Sequence, residues 1–297
     1  MGKYIGKRIL LLVPAVFLVC VIVFALMRLV PGDAVDSIIY KYSSMGISAD
    51  RAEVEAMLGL DQPAVAQFFT WLKGVLTGDL GDSLFEYESV ASIIGRQLPV
   101  TLELGILTLL FSCILSIPIG LFCAAKQDSL PDYAFRVVAI LLVSIPVFWI
   151  ATMVIIYPSL WWGYAPPTTY VSFFENPLEN LRMFIIPALL GALMQAGIQM
   201  RTVRTMTLEV MRLDYIRTAW AKGTKERVIL FKHAFRNAMI PVVTMIGGSA
   251  ATMIGGSVIM ESVFNIPGIG QQAITGTESV TLLAIPFFVC AGVLMNY

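Results

Sequence analysis

The chain has 297 residues, 58% of them hydrophobic and only 13% charged, with twenty Lys and Arg against twenty Asp and Glu. Soluble domains carry roughly 25% charged and 45–50% apolar residues, and a soluble chain this apolar has too little polar surface to cover itself. The composition excludes an ordinary soluble domain and points to a membrane protein, and the zero net charge conceals a segregation of charge along the chain.

Ile9 to Met27 is uncharged and follows Lys3, Lys7 and Arg8. It is longer than the ~7–15 apolar residues of a secretory signal, lacks a small-residue cleavage site, and runs into Arg28 and Pro31-Gly32-Asp33. It reads as a retained first span over residues 9–30, because ~20 apolar residues cross a bilayer. The leading cations hold residues 1–8 in the cytoplasm.

Residues 31–97 read as an outer loop. Between Asp33 and Arg96 stand ten Asp or Glu and four Lys or Arg. Ala52 to Leu58 predicts a short helix stopped by Gly59. Val65 to Leu76 predicts another, with Phe68, Phe69, Trp71, Leu72 and Leu76 as an apolar face, set on the outer membrane surface or against the spans. Gly78-Asp79-Leu80-Gly81 marks a turn.

Residues 98–297 form a core with five further expected spans. Leu104 to Ala125 is entered through Leu98-Pro99, carries Glu103 at its outer end, and is expected to bend at Pro118 and Gly120. Glu103 either lines a path or simply reaches water. Lys126 to Arg136 is a connector. Val137 opens the third span, with a kink at Ser144-Ile145-Pro146 and an outer end rich in Tyr157, Trp161, Trp162 and Tyr164. These aromatics fit an interfacial belt, with a ligand-stacking platform as the other reading.

Met183 to Met200 is the fourth span. Gln195 and Gln199 lie on one face of it, where they either bond another helix or line a polar path. Asn237 to Met260 is the fifth, with Gly247, Ala251 and Gly255 spaced by four for close helix packing. Glu261 to Glu278 reads as an outer loop and Ser279 to Tyr297 as the sixth span, which lacks a basic flank and is expected to continue. The cysteines Cys20, Cys113, Cys123 and Cys290 all fall in apolar runs without ligand spacing, and read as inert thiols.

The loop at residues 201–238 is the exception in the apolar second half. Arg201 to Pro241 holds nine Lys and Arg, three acids and the single histidine, His233. The positive-inside rule places it in the cytoplasm together with both termini. Thr202 to Met211 continues the fourth span, Asp214 is expected to cap a short helix ended by Gly223, and Lys225 to Arg236 is expected to form a second amphipathic helix. Tyr215, Ile216, Ala219 and Trp220 would give the short helix an apolar face for a groove on another protein. Binding of anionic lipid is the competing use.

Asp214-Tyr215-Ile216-Arg217-Thr218-Ala219-Trp220-Ala221-Lys222-Gly223, followed by His233-Ala234-Phe235-Arg236-Asn237-Ala238 and Pro241, resembles the cytoplasmic loop signature of binding-protein-dependent ABC transporter permeases. The likeness is to the dipeptide/oligopeptide/nickel subfamily, and to its first permease subunit with a long outer loop after span one. Arg217-Thr218-Ala219 stand at the EAA positions and Gly223 at the glycine, while Trp220 replaces an arginine common there. The likeness extends over Pro31-Gly32-Asp33, Leu58 to Pro63, Gly78 to Gly81, Leu98 to Leu104 and Glu261 to Gly270.

The resemblance implies an all-α integral membrane protein of the type I ABC importer permease fold, with six transmembrane helices and a small outer helical insertion between spans one and two. It implies a bacterial or archaeal cytoplasmic membrane, a second homologous permease subunit, two ATP-binding subunits and an extracytoplasmic solute-binding protein, with no nucleic acid. The helix from Asp214 to Gly223 would couple to the ATPases. Solutes of the subfamily include peptides, nickel chelates, opines, glutathione and oligosaccharides, with peptides the default. ATP and Mg would sit on the partners, and this chain has no G-x-x-x-x-G-K-[ST] phosphate loop and no expected enzyme activity, cofactor or metal. A stand-alone secondary transporter or channel is the alternative; it favours buried charges at mid-membrane, and Glu103 lies near an end. A membrane scaffold is a third reading, but it has no need of a coupling loop.

Overall fold

The computed structural model describes residues 2–29, 34–44, 46, 48, 50–57, 59–83, 88–167 and 169–275. Among these residues the structure is helical, with one isolated antiparallel bridge between Asp82 and Ser89. The helices in order are α1 (Gly2–Leu29), α2 (Ala34–Ser44), α3 (Arg51–Met57), α4 (Ala64–Thr77), α5 (Val90–Ala125), α6 (Leu130–Ser144), α7 (Val147–Trp162), α8 (Pro177–Met211), α9 (Asp214–Ala221), α10 (Glu226–Val228), α11 (Phe235–Phe264) and α12 (Ile269–Thr275). The chain divides into two compact units, one of Met1–Leu98 with the stretch from Gln272 and one of Pro99–Gln271.

In the first unit, α4 lays its aromatic face on α1. Phe68 is buried, with its ring 5.8 Å from Phe17, 5.3 Å from Phe24 and 5.9 Å from Trp71. Each such pair contributes about 0.5–1.5 kcal/mol beyond its burial, which settles the amphipathic face of α4 against the first apolar helix. The helix α2, which the sequence reading did not separate from its loop, packs Val35 and Ile38 on Val54 of α3. Arg51 ties the two, reaching Asp36 at 2.7 Å and Glu55 at 2.8 Å.

In the second unit, α5 and α8 run parallel in constant register. Gln199 accepts a hydrogen bond from Ser116, and Cβ atoms added at Gly191 and Gly120 would meet Thr108 and Val203. All three pairs share an offset of 83 residues. The backbones come close at Gly120, where a Cβ would lie 2.8 Å from the Met200 carbonyl oxygen. On the other side of α8, a Cβ at Gly197 would lie 3.0 Å from the Ala139 carbonyl of α6, beside the buried set Cys123, Ala139 and Met200.

Two helices, α5 with 36 residues and α8 with 35, are long and apolar enough to cross a membrane, or three spans if the bent pair α6–α7 counts as one, among the described residues. At about 1.5 Å per residue each long helix exceeds 50 Å, well beyond a hydrocarbon core of about 30 Å. The α5 helix begins at Val90, ahead of the expected entry, and passes through Pro99 and Pro118 without a break. The expected kink at Ser144-Ile145-Pro146 is a 92° turn between two helices; Pro146 forces Ile145 into an extended conformation (φ −87°, ψ 130°). Ser279 to Tyr297, the expected sixth span, lies outside the described residues.

Two expectations are corrected at the basic loop. The N-cap of α9 is Leu213, with Asp214 in the first turn. Lys225 to Arg236 is not a separate helix: α10 passes through a π turn, Ile229–Ala234, into α11, because no glycine or proline stands between Glu226 and Pro241 to stop it. A third correction concerns Glu261, which belongs to the last turn of α11 and not to a loop.

Candidate functional site

The α9 helix sits between the end of α8 and the start of α11. Ile216 turns inward and is fully buried with Ile229 and Ala234 of the π turn, against Val210 and Met211 of α8 and a half-buried Ala219. The Tyr215 hydroxyl accepts from Asn237 Nδ2 at 2.7 Å, which adds a polar tie to the first turn of α11. Gly223 adopts φ +74°. Its N–H bonds the Trp220 carbonyl at 2.9 Å and the Thr224 N–H bonds the Ala219 carbonyl at 3.2 Å, a Schellman closure that favours glycine at this position.

The expected apolar face of α9 therefore divides. Ile216 and part of Ala219 hold the helix to its own chain. Leu213, Tyr215 and Trp220 remain 41–48% exposed, with Arg217 beside them paired to Asp214 at 3.3 Å, both well exposed. Thr218 bonds back to the Asp214 carbonyl, and Ala221 and Lys222 are exposed. The arrangement is a short, well-closed helix with an aromatic and basic outer surface.

An ion pair missed by the sequence reading ties α8 to α6 near this end. Arg204 grips Asp132 with two hydrogen bonds, Nε to Oδ1 at 2.8 Å and an Nη to Oδ2 at 2.7 Å. The Asp128 N–H donates to Oδ2 at 3.0 Å, and Arg136 lies 3.7 Å away with its guanidinium over the Tyr133 ring. Asp132 is 0% exposed. A charged residue in the short Lys126–Arg136 connector looks solvated from sequence, and no local spacing relates it to a residue 72 positions on.

At the opposite end, Glu261 is fully buried. Thr101 of α5 donates to its Oε1 at 2.8 Å and the Gln271 N–H to its Oε2 at 3.0 Å. Thr101 in turn accepts from the Ile269 N–H at 2.9 Å. A Cβ at Gly268 would overlap the Glu261 carboxyl, and one at Gly270 would lie 2.8 Å from Oε2. The glycines of Pro267-Gly268-Ile269-Gly270 are thus what lets the chain close around this carboxylate, at the N-terminus of α12, where backbone N–H groups favour an acceptor.

The other expected site residues are dispersed. Glu103 is half-buried beside Tyr170 and Asn180. Burial pushes the Tyr170 phenol above its ordinary value, and the Glu103 carboxylate adds to the effect. Gln199 is fully buried on Ser116, whereas Gln195 is half-exposed. Among the described residues a Cβ at Gly247 would meet nothing within 4 Å; the surroundings of Ala251 and Gly255 lie outside what is described. Trp161 and Trp162 are exposed at the end of α7. Cys20 and Cys123 are buried free thiols and Cys113 is half-buried, while Cys290 lies outside the described residues. No group of three or more His, Cys, Asp or Glu gathers as a metal site among the described residues.

Residues 116–296 match the family described as "Binding-protein-dependent transport system inner membrane component", and residues 1–105 match the N-terminal part of such membrane components. Over 305 aligned residues the chain is 38% identical to a protein of Brucella suis biovar 1 named as a peptide transport system permease, covering 100% of this chain and 96% of that one. It is 33% identical to the dipeptide transport system permease protein DppB of Escherichia coli K12 (94% and 88% covered) and 33% identical to DppB of Alkalihalophilus pseudofirmus (91% and 86%). The chain therefore belongs to the binding-protein-dependent transport system inner membrane component family and is a membrane permease.

Proposed function

We propose that this chain is the permease subunit of an ATP-driven ABC importer and forms half of a translocation path for peptides. Six spans with both termini in the cytoplasm of a bacterial or archaeal cell place α9 on the inner face of the cytoplasmic membrane. A second homologous permease completes the path, an extracytoplasmic binding protein delivers the solute, and two partner ATPases hold ATP and Mg. The peptide assignment follows from the names of the full-length relatives.

The observation that carries the reading is the division of α9 into an inward anchor, Ile216, and an outward surface of Tyr215, Arg217 and Trp220. A helix fixed to the ends of two long helices, with aromatic and Arg side chains left outside, fits a groove on another protein. Its whole length from Asp214 to Gly223 serves as the coupling element. Glu103 and Gln195, both half-exposed, line the path, and Gln199 serves the α5–α8 contact. The stripe Gly247, Ala251 and Gly255 packs against a helix outside this chain.

Co-purification from native membranes in mild detergent tests the reading, with Trp220→Asp as the variant because Trp220 is outside the α9 anchor. Wild type is expected to bring down a second permease and the ATPases, and the variant to keep the permease and lose the ATPases. A wild-type chain that purifies alone, or a variant that retains the ATPases unchanged, overturns it.

A further inference from the structure

The Asp132–Arg204 pair joins two helices that play different parts. The α8 helix is continuous from Pro177 to Met211 and reaches α9 through Arg212 and Leu213, whose N–H groups bond back to Glu209 and Val210. Ile216 packs on the same last turn. A displacement of α9 therefore acts on α8 as on one rod. Arg204 lies seven residues before the end of that rod, about 10 Å along its axis. Its partner stands in the first turn of α6, the first arm of the 92° bent pair.

We propose that Asp132 and Arg204 are positioning residues that make α6 follow α8, so that movement of α9 reaches the bent pair α6–α7. The inference rests on the reading of α9 as the contact for the ATPases. Its physical basis is the form of the pair. A two-pronged guanidinium–carboxylate contact fixes orientation as well as distance, and the buried Asp132 gains two additional positive or N–H neighbours from α6 and its leading turn. Below it the α6–α8 contact relies on small residues, Ala139 against Gly197. Small flat surfaces permit sliding, whereas a buried two-pronged ion pair resists it.

The test uses the whole transporter, both permeases with the ATPases and the binding protein, in proteoliposomes supplied with tritiated dialanine. Uptake and ATP hydrolysis are measured together for wild type, Asp132→Asn and Arg204→Lys. Coupled uptake by wild type is the control for the function itself; if it is absent, the importer reading fails, whatever the pair does. With wild type coupled, both variants are expected to retain the ATPases and hydrolyse ATP within about twofold of wild type. The ratio of solute taken up to ATP hydrolysed is expected to fall at least fivefold. A purely structural role lowers both rates together by reducing the folded population and leaves the ratio unchanged. An unchanged ratio in the two variants, or failure of both to assemble with the ATPases, overturns the proposal.

Discussion

Thr101 on α5 and Glu261 on α11 stand 160 residues apart in sequence and share a buried hydrogen bond of 2.8 Å. The same threonine oxygen accepts the Ile269 N–H, and the second carboxyl oxygen accepts the Gln271 N–H. Two side chains thereby satisfy two backbone donors at the start of α12 and bind the corner after α11 to α5. Buried polar groups are as a rule hydrogen-bonded, and unmatched ones are costly in an apolar interior.

Breaking this unit from either side is expected to have similar effects. Thr101→Val leaves the Ile269 N–H and one carboxyl oxygen without partners, and Glu261→Gln places an amide where two donors converge. Each is expected to lower stability by about 2 kcal/mol, read as a lower midpoint in detergent melts. The double variant should cost clearly less than the two single losses combined, because residues in one network are not additive. Full additivity, or losses below about 0.5 kcal/mol, would show that the two residues do not act together.

Much of this architecture is legible in the sequence, and the limits have physical causes. Apolar runs and breakers revealed the long helices, the Pro146 turn and the glycine stop of α9 at Gly223, because these depend on local chemistry. The glycines after Pro267 stood out as a motif, yet their task, admitting a carboxylate, depends on Glu261 being turned back within its helix. Asp132 and Arg204 look like ordinary loop charges until folding brings α6 against α8. The register of 83 residues between α5 and α8 is likewise a tertiary fact that no window of sequence contains.

Glycines on α5 and α11 are expected to respond oppositely to a single methyl. At Gly120 the added Cβ would lie 2.7 Å from Val203 Cβ and 2.8 Å from a backbone carbonyl, so Gly120→Ala should cost about 1–3 kcal/mol through overpacking. At Gly247 nothing among the described residues opposes it, and Gly247→Ala should leave the isolated subunit unchanged or up to about 1 kcal/mol more stable through helix propensity. If Gly247 faces a partner helix, the same change should weaken pairing of the permeases in native electrophoresis. Destabilisation of the isolated subunit by Gly247→Ala would contradict this assignment.

The two sides of α9 give a further contrast. Ile216→Ala removes a side chain buried among Ile229, Ala234 and Val210 and should cost about 2–5 kcal/mol, seen first as faster hydrogen exchange from residue 210 to 235. Trp220→Ala changes a half-exposed surface and should shift stability by less than about 0.5 kcal/mol while weakening retention of the ATPases. Equal exchange behaviour in the two variants would mean that α9 is not anchored through Ile216.

Ser116 and Gln199 offer a test of what a buried amide is for. Ser116 donates to Gln199 Oε1 at 2.9 Å, but Gln199 Nε2 is buried with no hydrogen-bond partner among the described residues. Ser116→Ala leaves the carbonyl oxygen unmatched as well and should cost about 1–3 kcal/mol. Replacing both residues, as Ser116→Ala with Gln199→Met, removes every polar atom of the pair while roughly keeping its volume, and should recover most of that loss. Uptake separates the two roles expected for Gln199. If the amide serves only the α5–α8 contact, transport returns with stability in the double variant. Restored stability without restored uptake would instead place the amide beside the moving solute, and would require α5 and α8 to part far enough during transport to expose it.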